Sequence, residues 1–232
     1  MEDIEGPTSN FFNDEGRLLQ AEYAVKNVSH GGTIIGIVCD GCVVLFGLNQ
    51  TKSLTKEKIY KLNNKTFCAV SGLFGDANML IQYGRRISIK IENEILESPK
   101  PYVLCKYIGQ KKQLYTNITD TRPFGVSILY CGYDDKYVLY STDPSGTVNQ
   151  WKAFAIGLNE NLINQNLKNE YDETLPFDKG VEFLLKILIK SRECSLDMIE
   201  KMEILCYNKD QQRFLTLDEI KQIFESIQSN IS

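Results

Sequence analysis

A helix-like segment that runs directly into a glycine-glycine-threonine strand start constrains the fold of this chain most strongly. The apolar residues of segment 14–28 recur at helical spacing and predict a helix that Gly31 and Gly32 end. These apolar residues are Leu18, Ala21, Val25 and Val28. A strand that opens on Thr33 suits a hydrolase with an N-terminal hydroxyl nucleophile, but 32 residues precede this threonine. The segment therefore predicts a hydrolase-type fold and argues against the chemistry of that class.

The remainder of the chain predicts a single domain, residues 13–232, because no proline- or glycine-rich linker interrupts it. Residues 1–12 lack periodicity and are interpreted as a tail, and either Asn13 or Asp14 caps the helix that follows. The 43% hydrophobic content is sufficient for a sizeable core. Seven scattered cysteines, an odd number without pair spacing, indicate reduced thiols in a cytosolic or nuclear protein.

Charge and hydropathy exclude several classes of function. The net charge is -4 with acids and bases interspersed, which does not favour binding to nucleic acid or to an anionic membrane. No apolar run approaches the roughly 20 residues of a membrane span. The acidic start of the chain, residues 1–6, is unlike a signal peptide. We therefore expect a partner other than nucleic acid or membrane.

Turn signals and hydrophobic periodicity predict alternating groups of strands and helices. The predicted strands are 33–39, 42–46, 58–62, 66–72, 126–131, 137–141, 153–156, 201–207 and 214–217. Besides 14–28, the predicted helices are 76–97, 102–115, 159–171, 177–192 and 217–227. This order suits two stacked sheets with helices outside them.

Residues 15–24, Glu-Gly-Arg-Leu-Leu-Gln-Ala-Glu-Tyr-Ala, closely resemble the N-terminal signature of proteasome alpha-type subunits. Further matches follow in the family's order along nearly the whole chain. They are 57–63, 71–73, 76–78, 122–127, 143–146, 151–153 and 155–157. The resemblance implies an α/β (α+β) fold, a four-layer α-β-β-α sandwich of the N-terminal nucleophile hydrolase class. Residues 57–63 look most like the alpha type-4 subunit, and residues 148–153 suit alpha type-7 nearly as well.

The resemblance also implies a function without catalysis. Alpha-type subunits form a seven-member outer ring that stacks on a ring of beta-type subunits in the 20S core. Proteolysis belongs to certain beta-type subunits, whereas the alpha ring gates substrate entry and receives the C-terminal tails of regulatory-particle ATPases. The expected setting is ubiquitin-dependent protein degradation in the cytoplasm and nucleus. No cofactor or metal is expected.

The positions that carry catalysis in beta-type subunits decide between these roles. Alignment of the second strand puts Gly32 at the threonine nucleophile and Leu48 at the aspartate, and only Lys58 matches. The alternative is an N-terminal threonine hydrolase activated by cleavage before Thr33, which would still lack the acid at position 48. Otherwise Thr33 is the first β-branched residue of a strand. The single histidine, His30, is predicted to lie at a helix end.

Lys58 has a second interpretation that the resemblance supplies. In alpha-type subunits this lysine lies in a pocket between neighbouring subunits, where it meets the carboxylate of an activator tail ending in a hydrophobic-Tyr-any-residue motif. The pocket glycine and leucine of the family match Gly31 and Leu73. An ammonium group on a rigid strand pairs well with such a carboxylate. The plain alternative is a surface lysine at a strand end.

The resemblance places gate residues in the N-terminal helix and before it, at Asp14, Gly16, Arg17 and Tyr23. The family usually carries Tyr-Asp-Arg where this chain has residues 5–7, and Ser-Pro at positions 13–14. Of the tyrosine-aspartate-proline-tyrosine cluster that holds the open gate, only Tyr23 remains. We hypothesise that residues 1–12 still cover part of the pore but become ordered in a different way from the family's usual tails. Helix 14–28 has core packing as its plain alternative, and a soluble binding protein that acts alone remains a further alternative for the whole chain.

Overall fold

Two five-stranded antiparallel sheets pack face to face in the computed structural model, and helices cover the outer face of each sheet. The structure describes residues 10–50, 57–118, 121–191 and 196–231. Residues 1–9 of the predicted tail therefore lie outside the described residues.

The elements follow one another in an order close to the predicted one. The helices are α1 Leu19–Ser29, α2 Phe74–Ile95, α3 Pro101–Asn117, α4 Glu160–Glu170, α5 Phe177–Ser191, α6 Leu196–Ile199 and α7 Leu217–Ile231. The strands are β1 Ile34–Cys39, β2 Cys42–Leu48, β3 Ile59–Asn63, β4 Thr66–Gly72, β5 Val126–Asp134, β6 Lys136–Thr142, β7 Val148–Trp151, β8 Ala153–Ile156, β9 Met202–Tyr207 and β10 Gln212–Phe214.

The first sheet has the strand order β10-β9-β2-β1-β8 and the second the order β3-β4-β5-β6-β7. The predicted hairpin at Asp40 and Gly41 is confirmed, with Cys39 opposite Cys42 and Gly41 at φ +78°. The predicted pairing of the last two strands is also confirmed, since Phe214 lies opposite Leu205. Almost every residue of β1, β2 and β4 is buried, as expected for strands covered on both faces.

Three hydrophobic layers hold the sandwich together. The inner layer lies between the sheets and contains Leu45, Leu129 and Leu139, all fully buried. A second layer packs the outer face of the first sheet against α4 to α7, and a third packs the second sheet against α2 and α3. The four-layer α-β-β-α architecture is therefore confirmed.

The predicted start of the first helix at residue 14 is wrong, because α1 begins at Leu19. Residues 13–17 form a closed turn instead, in which the Asn13 N–H donates to the Arg17 carbonyl at 3.0 Å. The Asn13 side-chain oxygen accepts the N–H groups of Glu15 and Arg17 at 3.1 and 2.8 Å. Gly16 lies at φ +74°, which a helix does not contain. Local side-chain bonding thus delays the helix by one turn.

Two short elements were not predicted. Strand β7 exposes its central residues Asn149 and Gln150, so it lacks the apolar run that identifies a buried strand. Helix α6 has only 4 residues. Across the described residues, no helix combines the length and the apolar character that membrane crossing requires.

Candidate functional site

A cavity of about 110 Å³ lies where β1 starts, β2 ends and β3 begins. Two predicted pocket residues, Gly31 and Lys58, line it. The other lining residues are Gly32, Asn49, Gln50, Glu57, Val70, Gly72 and Phe74. The third predicted pocket residue, Leu73, stands between two of these and is 43% exposed. The structure thus brings the three predicted pocket residues to one place.

The Lys58 amine reaches into this cavity from the start of β3. It donates hydrogen bonds to the carbonyl oxygens of Gly32 at 3.3 Å and Val70 at 3.1 Å. An ammonium group has three donors, so among the described contacts one remains for an acceptor that enters the cavity. Burial lowers the pKa of Lys58 to about 8, and the nearby Glu203 carboxylate opposes this shift only in part. The amine is therefore a poorly hydrated cation held in a fixed position.

Glu203 on β9 fixes the backbone that carries this lysine. Its carboxylate accepts the Lys58 N–H at 3.0 and 3.1 Å, the Ile59 N–H at 3.1 Å and the Asn49 amide at 2.9 Å. Hydrogen bonds to a charged acceptor are about twice as strong as neutral ones. Sequence reasoning missed Glu203, although a single acid inside the apolar strand Met202–Tyr207 was an available signal.

The nucleophile position of the fold is filled by backbone. A Cβ at Gly32 would lie 2.2 Å from the Leu48 carbonyl oxygen and 3.0 Å from the Lys58 amine. Leu48 itself is a buried core residue, 3% exposed. The Thr33 hydroxyl is 1% exposed and donates to the Leu158 carbonyl at 2.8 Å. Neither Gly32 nor Thr33 presents a hydroxyl to the cavity, so neither residue is placed to act as a nucleophile there.

Glycine residues allow backbone segments to approach one another closely in the cavity wall beside Leu73. The Leu73 N–H donates to the Gly125 carbonyl at 2.9 Å. Gly72 lies at φ +117°, and a Cβ there would meet the same carbonyl at 2.1 Å. A Cβ at Gly31 would lie 2.5 Å from the Gly72 nitrogen. The wall therefore requires glycine at both positions.

An ion pair holds the segment that carries Gly125. Arg122 donates to both carboxylate oxygens of Asp76 at 2.6 and 2.8 Å, and the Gly125 N–H adds a bond of 2.8 Å. Burial alone would raise the pKa of Asp76, but the hydrogen bonds from Arg122 and Gly125 outweigh it, so the pKa is lowered. The start of α2 and residues 121–125 are thus fixed to each other beside the pocket.

The predicted gate residues lie apart from the pocket, in the turn before α1 and on the exposed face of that helix. Asp14 is exposed, Gly16 supplies the positive φ of the turn, and Tyr23 is 52% exposed. Arg17 donates to both carboxylate oxygens of Glu22 in the first turn of α1. Of the predicted gate residues, Gly16 therefore shapes the turn and Arg17 stabilises the start of the helix.

Asn10 is a contact residue that sequence reasoning missed. Its side-chain amide donates to the carbonyl oxygens of Tyr115, Ile118 and Thr121 at 3.1, 2.9 and 2.9 Å. These partners lie more than 100 positions away in the chain, so no local pattern signals the contact.

Other candidate chemistry has a structural explanation. His30 lies at the end of α1, as predicted, as the capping residue directly after Ser29, and its backbone N–H donates to the Asn27 carbonyl. Six cysteines are buried free thiols, and the seventh, Cys194, lies outside the described residues. Among the described residues no group of three or more metal-ligating side chains comes together.

Comparison with known proteins gives consistent matches over nearly the whole chain. A family model described as "Proteasome subunit" matches residues 28–205. The "Probable proteasome subunit alpha type-3" of Encephalitozoon cuniculi is 45% identical over 225 residues, which are 95% of this chain and 97% of the relative. The "Proteasome subunit alpha type-3" of Saccharomyces cerevisiae is 35% identical, over 93% of this chain and 89% of the relative. The "Proteasome subunit alpha type-4-A" of Arabidopsis thaliana is 36% identical, over 84% of this chain and 82% of the relative.

Proposed function

The chain belongs to the proteasome subunit family as an alpha-type member, and from this premise we propose how its described site works. It is a non-catalytic subunit of the outer alpha ring of the 20S core, which serves protein degradation. The relatives described above carry the names alpha type-3 and alpha type-4.

The observation that carries the non-catalytic role is the closed nucleophile position. Gly32 has no side chain and no room for one, because the Leu48 carbonyl occupies that space. Lys58, the one residue that matches the catalytic set, is directed to backbone carbonyls and to the cavity. This geometry supports a role without catalysis at the position where beta-type subunits carry a reaction centre.

We further propose that the cavity at Lys58 receives the C-terminal carboxylate of a regulatory-particle ATPase tail. Three observations support this proposal. The Lys58 ammonium group is held in place and keeps one donor for an incoming acceptor. The cavity wall consists partly of glycine, which leaves room for the backbone of a peptide, and the half-exposed Leu73 lies beside it. A charge-assisted hydrogen bond of this kind contributes about 1.5–3 kcal/mol.

The remaining parts of the proposal concern assembly and place. The chain joins six other alpha-type subunits in a seven-member ring, contacts beta-type subunits of the adjacent ring, and works in the cytoplasm and nucleus. Residues 13–232 form its single domain, and the N-terminal tail contributes to the gating of substrate entry in ubiquitin-dependent degradation.

The native mass of the tagged chain from its own cells tests the subunit role. We expect a particle of many related chains that contains this chain uncleaved, and mass spectrometry of the dissociated particle identifies its neighbours. A monomer, or a chain that begins at Thr33, would contradict the subunit role.

Photo-crosslinking of a tail peptide to this chain within the purified core tests the pocket. The peptide ends in hydrophobic-Tyr-any-residue and is made as the free acid and as the C-terminal amide. Replacement of Lys58 by Met should weaken binding of the free-acid peptide by about ten- to a hundredfold. The amide peptide should bind weakly to both the unmodified and the Lys58→Met particle. Lys61→Met, at an exposed position of β3, the strand that begins directly after Lys58, is the matched control. Equal binding of acid and amide by the unmodified particle would rule out the carboxylate contact.

A further inference from the structure

Two thiols face each other at the turn between β1 and β2. Cys39 is the last residue of β1 and Cys42 is the first residue of β2, and the strand register places them directly opposite each other. Residues in this relation lie on the same face of a sheet, and both belong to the apolar layer between the first sheet and its helices. The hairpin thus holds two thiols side by side, at the end of β1 and β2 that is remote from the Lys58 cavity.

The backbone geometry of this pair suits a disulfide. The Val38 N–H donates at 2.7 Å to the carbonyl of Lys152, directly before β8, which lies on the opposite side of β1 from β2. Successive N–H groups of a strand alternate in direction, so the Cys39 N–H points towards β2 and Cys39 forms a hydrogen-bonded pair with Cys42. The Cα atoms of such a pair are about 5.5 Å apart, within the roughly 4.4–6.8 Å that disulfides span. A disulfide can therefore form without movement of the two strands.

The two thiols also differ in reactivity. A hydrogen bond from the Cys42 thiol lowers the pKa of Cys39, and the opposing effect of burial is smaller. The same hydrogen bond, together with burial, raises the pKa of Cys42. Burial raises the pKa of Cys206, a third thiol of this layer, to about 11. Because the thiolate is the nucleophile in thiol oxidation, Cys39 is the attacking sulfur and Cys42 is the thiol beside it that completes the reaction.

A cavity leads from the surface to the neighbourhood of the pair. Cys39 is only 4% exposed and Cys42 is fully buried. A cavity of about 350 Å³ lies between α5, α7, β9 and β10, and Val181 and Cys206 line it. Gly180, the residue before Val181, packs directly on Cys39, since a Cβ there would lie 2.8 Å from the Cys39 Sγ. The cavity thus ends one residue away from the pair, which favours access by an oxidant hardly larger than water.

We propose that Cys39 and Cys42 form an oxidation site, at which a hydroperoxide converts the two thiols to a disulfide in the folded chain. The Cys39 thiolate attacks the peroxide, the O–O bond breaks, and the departing hydroxide takes up the proton that Cys39 released, which leaves a sulfenic acid and water. The Cys42 sulfur then attacks the Cys39 sulfur, the S–O bond breaks and a second water leaves. Two thiols are oxidised to one disulfide, and one hydrogen peroxide is reduced to two waters. A thiol reductant reverses the reaction.

Mass spectrometry of the purified core particle after treatment with hydrogen peroxide tests this site. Trypsin releases residues 27–52 as one peptide, which contains Cys39 and Cys42 and no other cysteine. Free thiols are blocked with a maleimide once the chain has been denatured. We expect the peptide from treated particles to lack two hydrogens and to take up no maleimide. After reduction with dithiothreitol, and without peroxide treatment, it should take up two maleimides.

The chain contains its own control for general oxidation. Cys68 and Cys105 are also fully buried in one apolar layer, but they lie on β4 and α3 and do not face each other across a hairpin. Both should remain thiols under the same treatment. Cys206→Ser is the matched variant and should leave the disulfide intact, whereas Cys39→Ser and Cys42→Ser should each abolish it. If a serine variant does not assemble, the peptide from the unmodified particle still decides the question.

Four results would overturn the proposal. The peptide could keep both thiols, or gain oxygen atoms in place of losing two hydrogens. It could instead become linked to the tryptic peptide of residues 202–209, which would make Cys206 the partner. Oxidation of Cys68 and Cys105 to the same extent would show that the treatment opens the chain and that the hairpin pair has no particular reactivity.

Discussion

A side chain at position 32 would need space that the backbone of Leu48 already occupies. The clash is with a carbonyl oxygen inside the first sheet at 2.2 Å, so neither a rotamer change nor a small shift relieves it. We expect Gly32→Ala to lower the free energy of unfolding by about 1–3 kcal/mol or more, as overpacked cores do. Urea denaturation of the purified chain measures this change.

Gly75 provides the control for that experiment. It lies in the first turn of α2, and a Cβ there would have no neighbour within 4 Å. Gly75→Ala should be neutral or stabilising by up to about 1 kcal/mol, because alanine favours the helix. Equal destabilisation by both substitutions would mean that the close approach at Gly32 is relieved in solution.

Lys112 is a fully buried amine that the pattern of α3 does not reveal. It donates to the carbonyl oxygens of Val126 and Thr142, each at 3.0 Å, and to the Thr142 hydroxyl at 2.9 Å. It therefore joins α3 to the ends of β5 and β6. Burial lowers the pKa of Lys112 to about 7, and the charge of Asp143 opposes this only in part.

The stability of the chain should consequently depend on the protonation of Lys112. Between the folded pKa of about 7 and the ordinary value of 10.5, the unfolded chain binds a proton that the folded chain does not. The free energy of unfolding therefore gains up to about 1.4 kcal/mol per pH unit as pH rises through this window. Urea denaturation at both ends of the window should show this gain reduced in Lys112→Met. An identical pH slope in both proteins would contradict the shift.

At the scale of elements, the ion pair of Asp76 and Arg122 fixes α2 to residues 121–125. Because the pKa of Asp76 is lowered in the folded chain, the stabilisation is present above its ordinary pKa of 3.8 and is lost as pH falls through the folded value. Asp76→Asn should lower the free energy of unfolding by about 1–3 kcal/mol at neutral pH, with a smaller loss in acid. It should also weaken binding of the tail peptide, since Leu73 loses its support.

Urea denaturation and peptide crosslinking measure these two effects. Asp210→Asn, in the exposed turn between β9 and β10, is the control and should change neither. Loss of stability without any loss of peptide binding would show that the ion pair supports the fold and not the pocket.

Elements with strong local signals were predicted well, and those that depend on distant contacts were not. Asp40 and Gly41 located the first hairpin because a tight turn needs a residue that tolerates positive φ. The start of α1 was wrong because Asn13 bonds locally and Gly16 takes a left-handed conformation. Strand β7 was missed because its pattern is polar.

The candidate site was likewise predicted only in part: residues with a sequence signal were found, and residues that depend on distant contacts were missed. Lys58 lies in the family-matching segment 57–63 and Gly31 was matched to the family's pocket glycine, and the structure places both on one cavity. Glu203 supports the backbone of Lys58 from 145 positions away, and Asn10 donates to a carbonyl 105 positions away. Only the packing of the whole chain brings such residues together.

At the scale of the whole molecule, a buried apolar layer lies between the two sheets and holds them together. Leu129 is fully buried in that layer, whereas Leu114 on α3 is 53% exposed. Leu129→Ala should lower the free energy of unfolding by about 2–5 kcal/mol, and Leu114→Ala by only about 0.5 kcal/mol. Urea denaturation measures both. A similar cost at the two positions would indicate that the sheets do not pack as closely as described.

The closed position at Gly32 has a consequence for how this chain can evolve. A hydroxyl at residue 32 clashes with the Leu48 carbonyl, and an acid at residue 48 would bury a charge in the core. Each single step towards a cutting site is harmful before the second brings any benefit. The packing of the first sheet therefore helps to keep this subunit of the outer ring non-catalytic.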